Sequence, residues 1–245
     1  MSMRIAAISD IHGNLDALQA VLADIARRGC DLVVNLGDML SGPLRAAATA
    51  DLLMERRFPT VRGNHDRQLL DPPDRMRPSD AMAHAQLSRA QLDWLAALPP
   101  LLRIEDVLLC HGTPDSDCTY LLEDVHAGRL RPSAPAEVAR RLGGGGARLV
   151  LCGHSHTPRT VRLDDGCLVV NPGSVGLPAY RTDWPSPHRA ETGTPHARYA
   201  VLQRHGHDWE AELVAVEYDF RAMARLAAAR GCGDWSMALR TGRVA

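Results

Sequence analysis

The stretch "RIAAISDIHGN" (Arg4–Asn14) runs from an apolar segment of strand length into Asp10, His12 and a glycine turn. The segment that follows, "NLDALQAVLADIARRG", places Leu15, Leu18, Val21, Leu22 and Ile25 on one helical face. Asn14 stands where an N-cap belongs and Gly29 where a helix stops. A strand, a polar turn and a helix make the first half of a βαβ unit. In sheets built of such units, ligands gather beyond the carboxyl ends of the strands. Asp10 and His12 stand at that place.

The same arrangement recurs outward along the chain. "DLVVNL" is the next strand, a helix runs from about Leu44 to Arg56, and "TVRG" is a short third strand. This rhythm predicts an α/β sheet with a parallel portion. The middle, Asp71 to Pro100, reads as a helical excursion with a proline-rich entry. "VLLC" and "RLVLC" are further core strands, and the second half is richer in strands ("RTVRL", "CLVV", "RYAVLQRH", "DWEAELVAV"). A helix from Phe220 to Arg230 and a short segment close the chain. "GGGG" (143–146) reads as a connector, lacking the Lys-Ser/Thr ending of a phosphate loop. "RTDWPSPHRAETGTP" (181–195) reads as a long polar loop. No repeat or internal boundary stands out, so 1–245 is expected to be one domain.

Composition narrows the function classes. Of 245 residues 45% are hydrophobic but only 4% aromatic, which predicts a core of Leu, Val, Ala and Ile. The net charge of −1 offers no electrostatic footprint for stable nucleic-acid binding and no polybasic membrane patch. No apolar run reaches the ~18 residues of a membrane helix, and the start has no signal-peptide layout. The six scattered cysteines read as buried hydrophobes in a reducing, cytoplasmic setting. All 28 basic residues are arginine, which reads as a compositional bias.

Five strand ends deliver ligand-type residues, usually beside glycine: Asp10 and His12; Asp38; Asn64 with His65 and Asp66; His111; His154 and His156. Taken alone, His154 and His156 are equally two loop histidines facing water. With the other four ends they form a set of imidazoles, carboxylates and one amide. Such mixed N and O donors suit Mn²⁺, Fe or Zn²⁺. Seven donors are too many for one tetrahedral ion and suit two ions sharing a carboxylate, the known device for displacement at phosphorus.

Together "SDIHGN", "LGDML", "RGNHD", "CHGTP" and "CGHSH" resemble the signature of the calcineurin-like metallophosphoesterase superfamily. "NPGSVGLP" (171–178) is similar to its small single-domain members. The resemblance implies an α/β fold, a four-layer α-β-β-α sandwich of two mixed sheets face to face with helices outside. It implies two divalent metals, manganese first, with iron, zinc or nickel as alternatives. Asp10, His12 and His156 would hold one, Asn64, His111 and His154 the other, and Asp38 would bridge. His65 would protonate the leaving oxygen or stabilise the transition state. Asp66 would either orient His65 or cap the following helix. Arg62, Tyr180 and Arg181 are candidate substrate contacts, Asn14 is a helix cap, and Asn171 and Gly173 either buttress the site or only make their turn. The remaining histidines (84, 126, 188, 196, 205, 207) are expected at the surface.

The implied reaction is hydrolysis of a small phosphodiester or nucleotide by a metal-bridging hydroxide. A phosphomonoesterase or protein phosphatase using the same centre is the alternative. "GDMLSGPL" lacks the Arg and second Asp that protein phosphatases of this kind carry there, which argues against that class. A non-catalytic scaffold of this fold lacks the catalytic histidine, and His65 is present. Oligomeric state is not readable from the residues.

Overall fold

The computed structural model describes residues 3–245. It is a mixed α/β protein, as expected. The chain runs β1 (Arg4–Ile8), α1 (Leu15–Arg28), β2 (Leu32–Asn35), α2 (Ala46–Arg56), α3 (Asn64–Gln68), α4 (Pro78–His84), α5 (Arg89–Ala97), β3 (Leu101–Ile104), β4 (Val107–Cys110), β5 (Glu123–His126) and β6 (Arg129–Pro132). It continues α6 (Pro135–Leu142), β7 (Leu149–Leu151), β8 (Arg159–Arg162), β9 (Leu168–Asn171), β10 (Ala179–Thr182), β11 (His188–Glu191), β12 (Ala197–His205), β13 (Asp208–Val216), α7 (Arg221–Ala229) and α8 (Gly233–Thr241). No helix of the described residues is long and apolar enough to cross a membrane.

Two sheets share one apolar cluster. The first has the order β13-β12-β1-β2, with β1 parallel to β2 and antiparallel to β12. The second has the order β3-β4-β7-β9-β8, with β4, β7 and β9 parallel. Strand alternation explains why their apolar runs are almost unbroken. Ile5 and Ala7 of β1 meet Leu109, Leu149, Leu151 and Val170 of the second sheet in that cluster. Ala6 and Ile8, on the other face of β1, pack with Leu18, Val21 and Ile25 of α1. Val150 and Val169 turn away from the shared cluster toward Val138 of α6. Helix α1 is placed by its ends: Asn14 Oδ1 accepts the Ala17 N–H at 3.2 Å, and Gly29 closes it at φ 65°.

The third sheet, β10-β11-β6-β5, departs from expectation. Much of the presumed loop 181–195 is strand: β10 ends in it and β11 lies within it. Its segments ("EDVH", "RLRP", "HRAE") are rich in charge and poor in large apolar residues, so no apolar period announces them. The expected strand "TVRG" reduces to a single parallel bridge, Asn35 to Thr60. The closing segment folds as α8.

Candidate metal centre

The expected donors all sit just past strand ends on one side of the molecule. Their backbones are unusual. Asp10, His12, Asp38, His154 and His156 have φ between 51° and 68°, the left-handed region. Only three other non-glycine residues among those described do so, which concentrates backbone strain on the donor loops. Glycine makes room for this. A Cβ on Gly63 would collide with Asp38 Oδ1, and one on Gly153 with Ser9 Oγ.

Hydrogen bonds fix each imidazole. His12 Nδ1 donates to Ser41 O (2.9 Å), His111 Nδ1 to Leu36 O (2.7 Å) and His156 Nδ1 to Leu177 O (2.7 Å). His154 does so through Nε2, to Cys118 O (2.9 Å). A carbonyl only accepts, so each neutral ring must turn its bare nitrogen inward. Those bare nitrogens meet further lone pairs. His12 Nε2 and His156 Nε2 are 3.3 Å apart. His156 Nε2 is 3.2 Å from Asp10 Oδ1, a buried oxygen with no hydrogen-bond partner among the described residues. His111 is the exception: its Nε2 is 3.2 Å from both Asp38 Oδ2 and Asn64 Oδ1, where a proton held by Asp38 stands in the place of a metal. The donor atoms of Asp10, His12 and His156 lie within 4.8 Å of one another, as do those of Asp38, His111 and His154. Acceptors facing acceptors in a buried site call for a cation, and this donor set fits a divalent metal.

Electrostatics follow from the packing. Burial, then the neighbouring His156, lowers the His12 pKa to about 4; burial, then His111, lowers that of His154 to about 3. Burial opposes charge on His111 too, but Asp38 overrides it and raises the ring to about 10. Burial likewise opposes charge on Asp38, yet the surrounding imidazoles, His111 foremost, hold it well below the usual carboxylate range.

His65 stands on the cavity wall, but Asp66 does not touch its ring. Asp66 accepts the backbone N–H groups of Asp38 (2.8 Å), Met39 (3.0 Å) and Gly63 (3.0 Å). It therefore caps α3 and ties the Asp38 turn to it through three amide donors. Burial and the charge of Asp38 still push its pKa up to about 7. The partner of His65 is Asp80 of α4: His65 Nδ1 is 2.8 Å from Asp80 Oδ1, which also accepts from Ser41 Oγ at 2.6 Å. Burial opposes protonation of His65, and Asp38 with Asp80 outweighs it, so its pKa is raised. Asp80 thus supplies from another element the carboxylate that "GDMLSGPL" lacks. No motif in "PSDAMAH" points to it.

The cavity in front of these residues measures about 610 Å³. Tyr180 and Arg181 line it, while Arg62 is not among its lining residues; the Arg62 backbone N–H donates to Pro99 O. Tyr120, Trp184, Trp235 and Arg77 also line it, and sequence reasoning missed them because they follow no motif. His188 is another miss: expected at the surface, it is 4% exposed. Its Nδ1 donates to Ser186 O, so its Nε2 accepts from the Tyr120 hydroxyl at 2.8 Å. The Tyr120 oxygen in turn accepts from Tyr180 at 2.8 Å. The Tyr120 ring packs on His154 and the Tyr180 ring on His156, each at 4.7 Å between centroids.

Asn171 buttresses the site. Its amide donates to Gly153 O (2.6 Å) and Ser155 Oγ (3.1 Å), and its oxygen accepts from Gly173 N (2.8 Å). Ser174 Oγ donates to Asp10 O at 2.7 Å, so the "NPGS" turn holds two donor loops at once.

Strand-end donors around a broad cavity define an α/β protein with a candidate metal centre of the phosphoesterase kind. Residues 3–192 match the calcineurin-like phosphoesterase superfamily domain, and the chain belongs to that family. An uncharacterised protein of Methanocaldococcus jannaschii is 28% identical over 242 residues, covering 89% of this chain and 88% of its own. A metallophosphoesterase from Sphaerobacter thermophilus superposes with a TM-score of 0.77 at 24% identity, over 98% of this chain and all of its own. A hypothetical protein from Pyrococcus horikoshii does so at 0.73 and 16% identity, over 99% of this chain and 100% of its own.

Proposed function

We propose that the chain is a divalent-metal-dependent phosphoesterase acting on small phosphodiester or nucleotide substrates. The observation that carries this reading is the convergence of bare imidazole nitrogens with carboxylate and amide oxygens. Asp10, His12 and His156 would hold one cation and Asn64, His111 and His154 a second, with Asp38 between them. When bound, the cations, manganese first, supply Lewis acidity toward phosphate oxygens and lower the pKa of water. The chain's own residues do the rest. His65, its Nδ1 proton held by Asp80, keeps Nε2 for the proton of the leaving oxygen. Arg77 and Arg181 offer positive charge to the phosphate, and the aromatic walls suit a flat group beside it. Six free cysteines support a reducing compartment such as the cytoplasm.

The test is hydrolysis by purified protein with Mn²⁺ of bis-p-nitrophenyl phosphate, p-nitrophenyl phosphate and a dinucleoside polyphosphate. Diester or polyphosphate turnover above monoester turnover is expected. Preference for the monoester would move the reading to a phosphomonoesterase. Failure on all three, with metal bound, would sink it.

A further inference from the structure

The third sheet has a second face, turned away from the tyrosine pair. Strand alternation puts Arg129 and Arg131 of β6 on that face, and the register sets Arg189 of β11 directly against Arg129. Glu191 shares it, two residues along β11. His188 and Tyr180, one residue out of phase, share the opposite face. With Arg243 these arginines line a separate cavity of about 420 Å³.

Its charge is unbalanced. Glu191 is the one carboxylate among the lining residues, and two arginines divide it: Arg129 Nη1 lies 3.3 Å and Arg189 Nε 3.6 Å from Oε2. Its other oxygen accepts the Val244 N–H at 3.1 Å. Asp124, opposite Arg131 in the register, is held by Arg141. The guanidinium groups of Arg131 and Arg243 have no ion pair or hydrogen bond among the described residues. Like charges set directly opposite across strands destabilise a sheet. Four guanidinium groups around one carboxylate leave the cavity with net positive charge.

We propose that this cavity is a second binding site, for the oligophosphate chain of a small molecule. Guanidinium forks match phosphate oxygens in pairs. Strands about 4.8 Å apart spread the arginines over a surface, which suits a chain of charges better than a single point. The tyrosine pair on the sheet's other face faces the metal cavity, while Thr157, next to the donor His156, lines this one. Arg243 directly precedes Val244, which lines the metal cavity, so the two cavities are neighbours through one turn of chain.

Titration calorimetry of the full chain with inorganic tripolyphosphate tests this. Arg131→Ser/Arg243→Ser is expected to weaken one binding event at least tenfold, and Arg129→Ser to weaken the same event. Both should leave kcat on bis-p-nitrophenyl phosphate unchanged, and Arg89→Ser, on an exposed helix, should change neither. Adenosine triphosphate matching tripolyphosphate would assign the site to free oligophosphate; tighter binding would assign it to a nucleotide tail. Isotherms identical in wild type and both variants, or citrate binding as tightly as tripolyphosphate, would overturn the proposal.

Discussion

His65 and Asp80 carry the sharpest consequence at the scale of single residues. His65→Ala removes the nitrogen that would serve the leaving oxygen, and about 10²–10⁴-fold of kcat should go with it while bound metal, measured by elemental analysis, stays. Asp80→Asn keeps a partner for the ring but removes its charge. The raised pKa of His65 should fall, and because His65 must be protonated to serve the leaving oxygen, the alkaline limb of a kcat–pH profile moves downward in pH. The tyrosine pair makes a second prediction. Tyr180 spends its proton on Tyr120, so toward the cavity it offers only an acceptor. A substrate hydroxyl nearby would donate to it. Tyr180→Phe should raise KM for a ribonucleotide ester and spare its deoxy counterpart, read as a ratio of the two KM values. These contacts also mark the limit of what the residues disclose in order. Asp10, His12, Asp38, Asn64, His111, His154 and His156 were legible because each follows an apolar strand and a glycine usually stands by. Asp80, Tyr120 and His188 were not, because their roles arise from partners 15 to 68 positions away, and nothing local records that distance.

Among elements, α1 is fixed by more than its apolar face. Asp24 accepts from Tyr199 Oη (2.6 Å), Arg28 Nε (2.9 Å) and Arg27 Nη2 (2.8 Å), joining the helix to β12. The Tyr199 hydroxyl is the foremost cause that lowers its pKa, with the arginines behind it. A depressed carboxylate stabilises the fold above its unfolded pKa and loses that contribution as pH falls through the folded one. Tyr199→Phe should therefore lower the Tm at pH 7, with the difference from wild type shrinking as pH falls through the depressed Asp24 pKa. Helix α1 and strands β1, β2, β4, β7 and β9 were readable because burial on one or both faces writes an apolar pattern. Strands β5, β6, β10 and β11 were hidden: one face carries charged side chains and the other meets tyrosines and a buried histidine. Within 181–195 the third sheet accordingly passed for loop, and β5 and β6 drew no assignment.

For the whole molecule, stability rests on the cluster between the two large sheets. Trp209, 1% exposed, fills it from β13. Trp209→Ala should cost about 3–5 kcal/mol in denaturant unfolding, the range for deleting a large buried aromatic. The candidate metal centre pulls the other way when empty, since the lone pairs of Asp10, His12 and His156 face one another. Chelation should lower the Tm, and restoring Mn²⁺ should raise it with a dependence on metal concentration. Loading should also release protons at neutral pH, because His111, raised to about 10 beside Asp38, must give up its proton to bind.

The central position of β1 has a consequence for the order of assembly. It lies between β2 and β12, and its second neighbour is not synthesised until residues 197–205. The donor group led by Asp10 and His12 is completed by His156, 144 residues after His12, and the turn that braces Asp10 comes later still, at Ser174. A nascent chain exposes its first two donors long before it owns the third. A pocket that would select an ion by shape exists only once the chain through Ser174 has left the ribosome, so metal choice would belong to the folded protein and not to its emerging amino-terminal half.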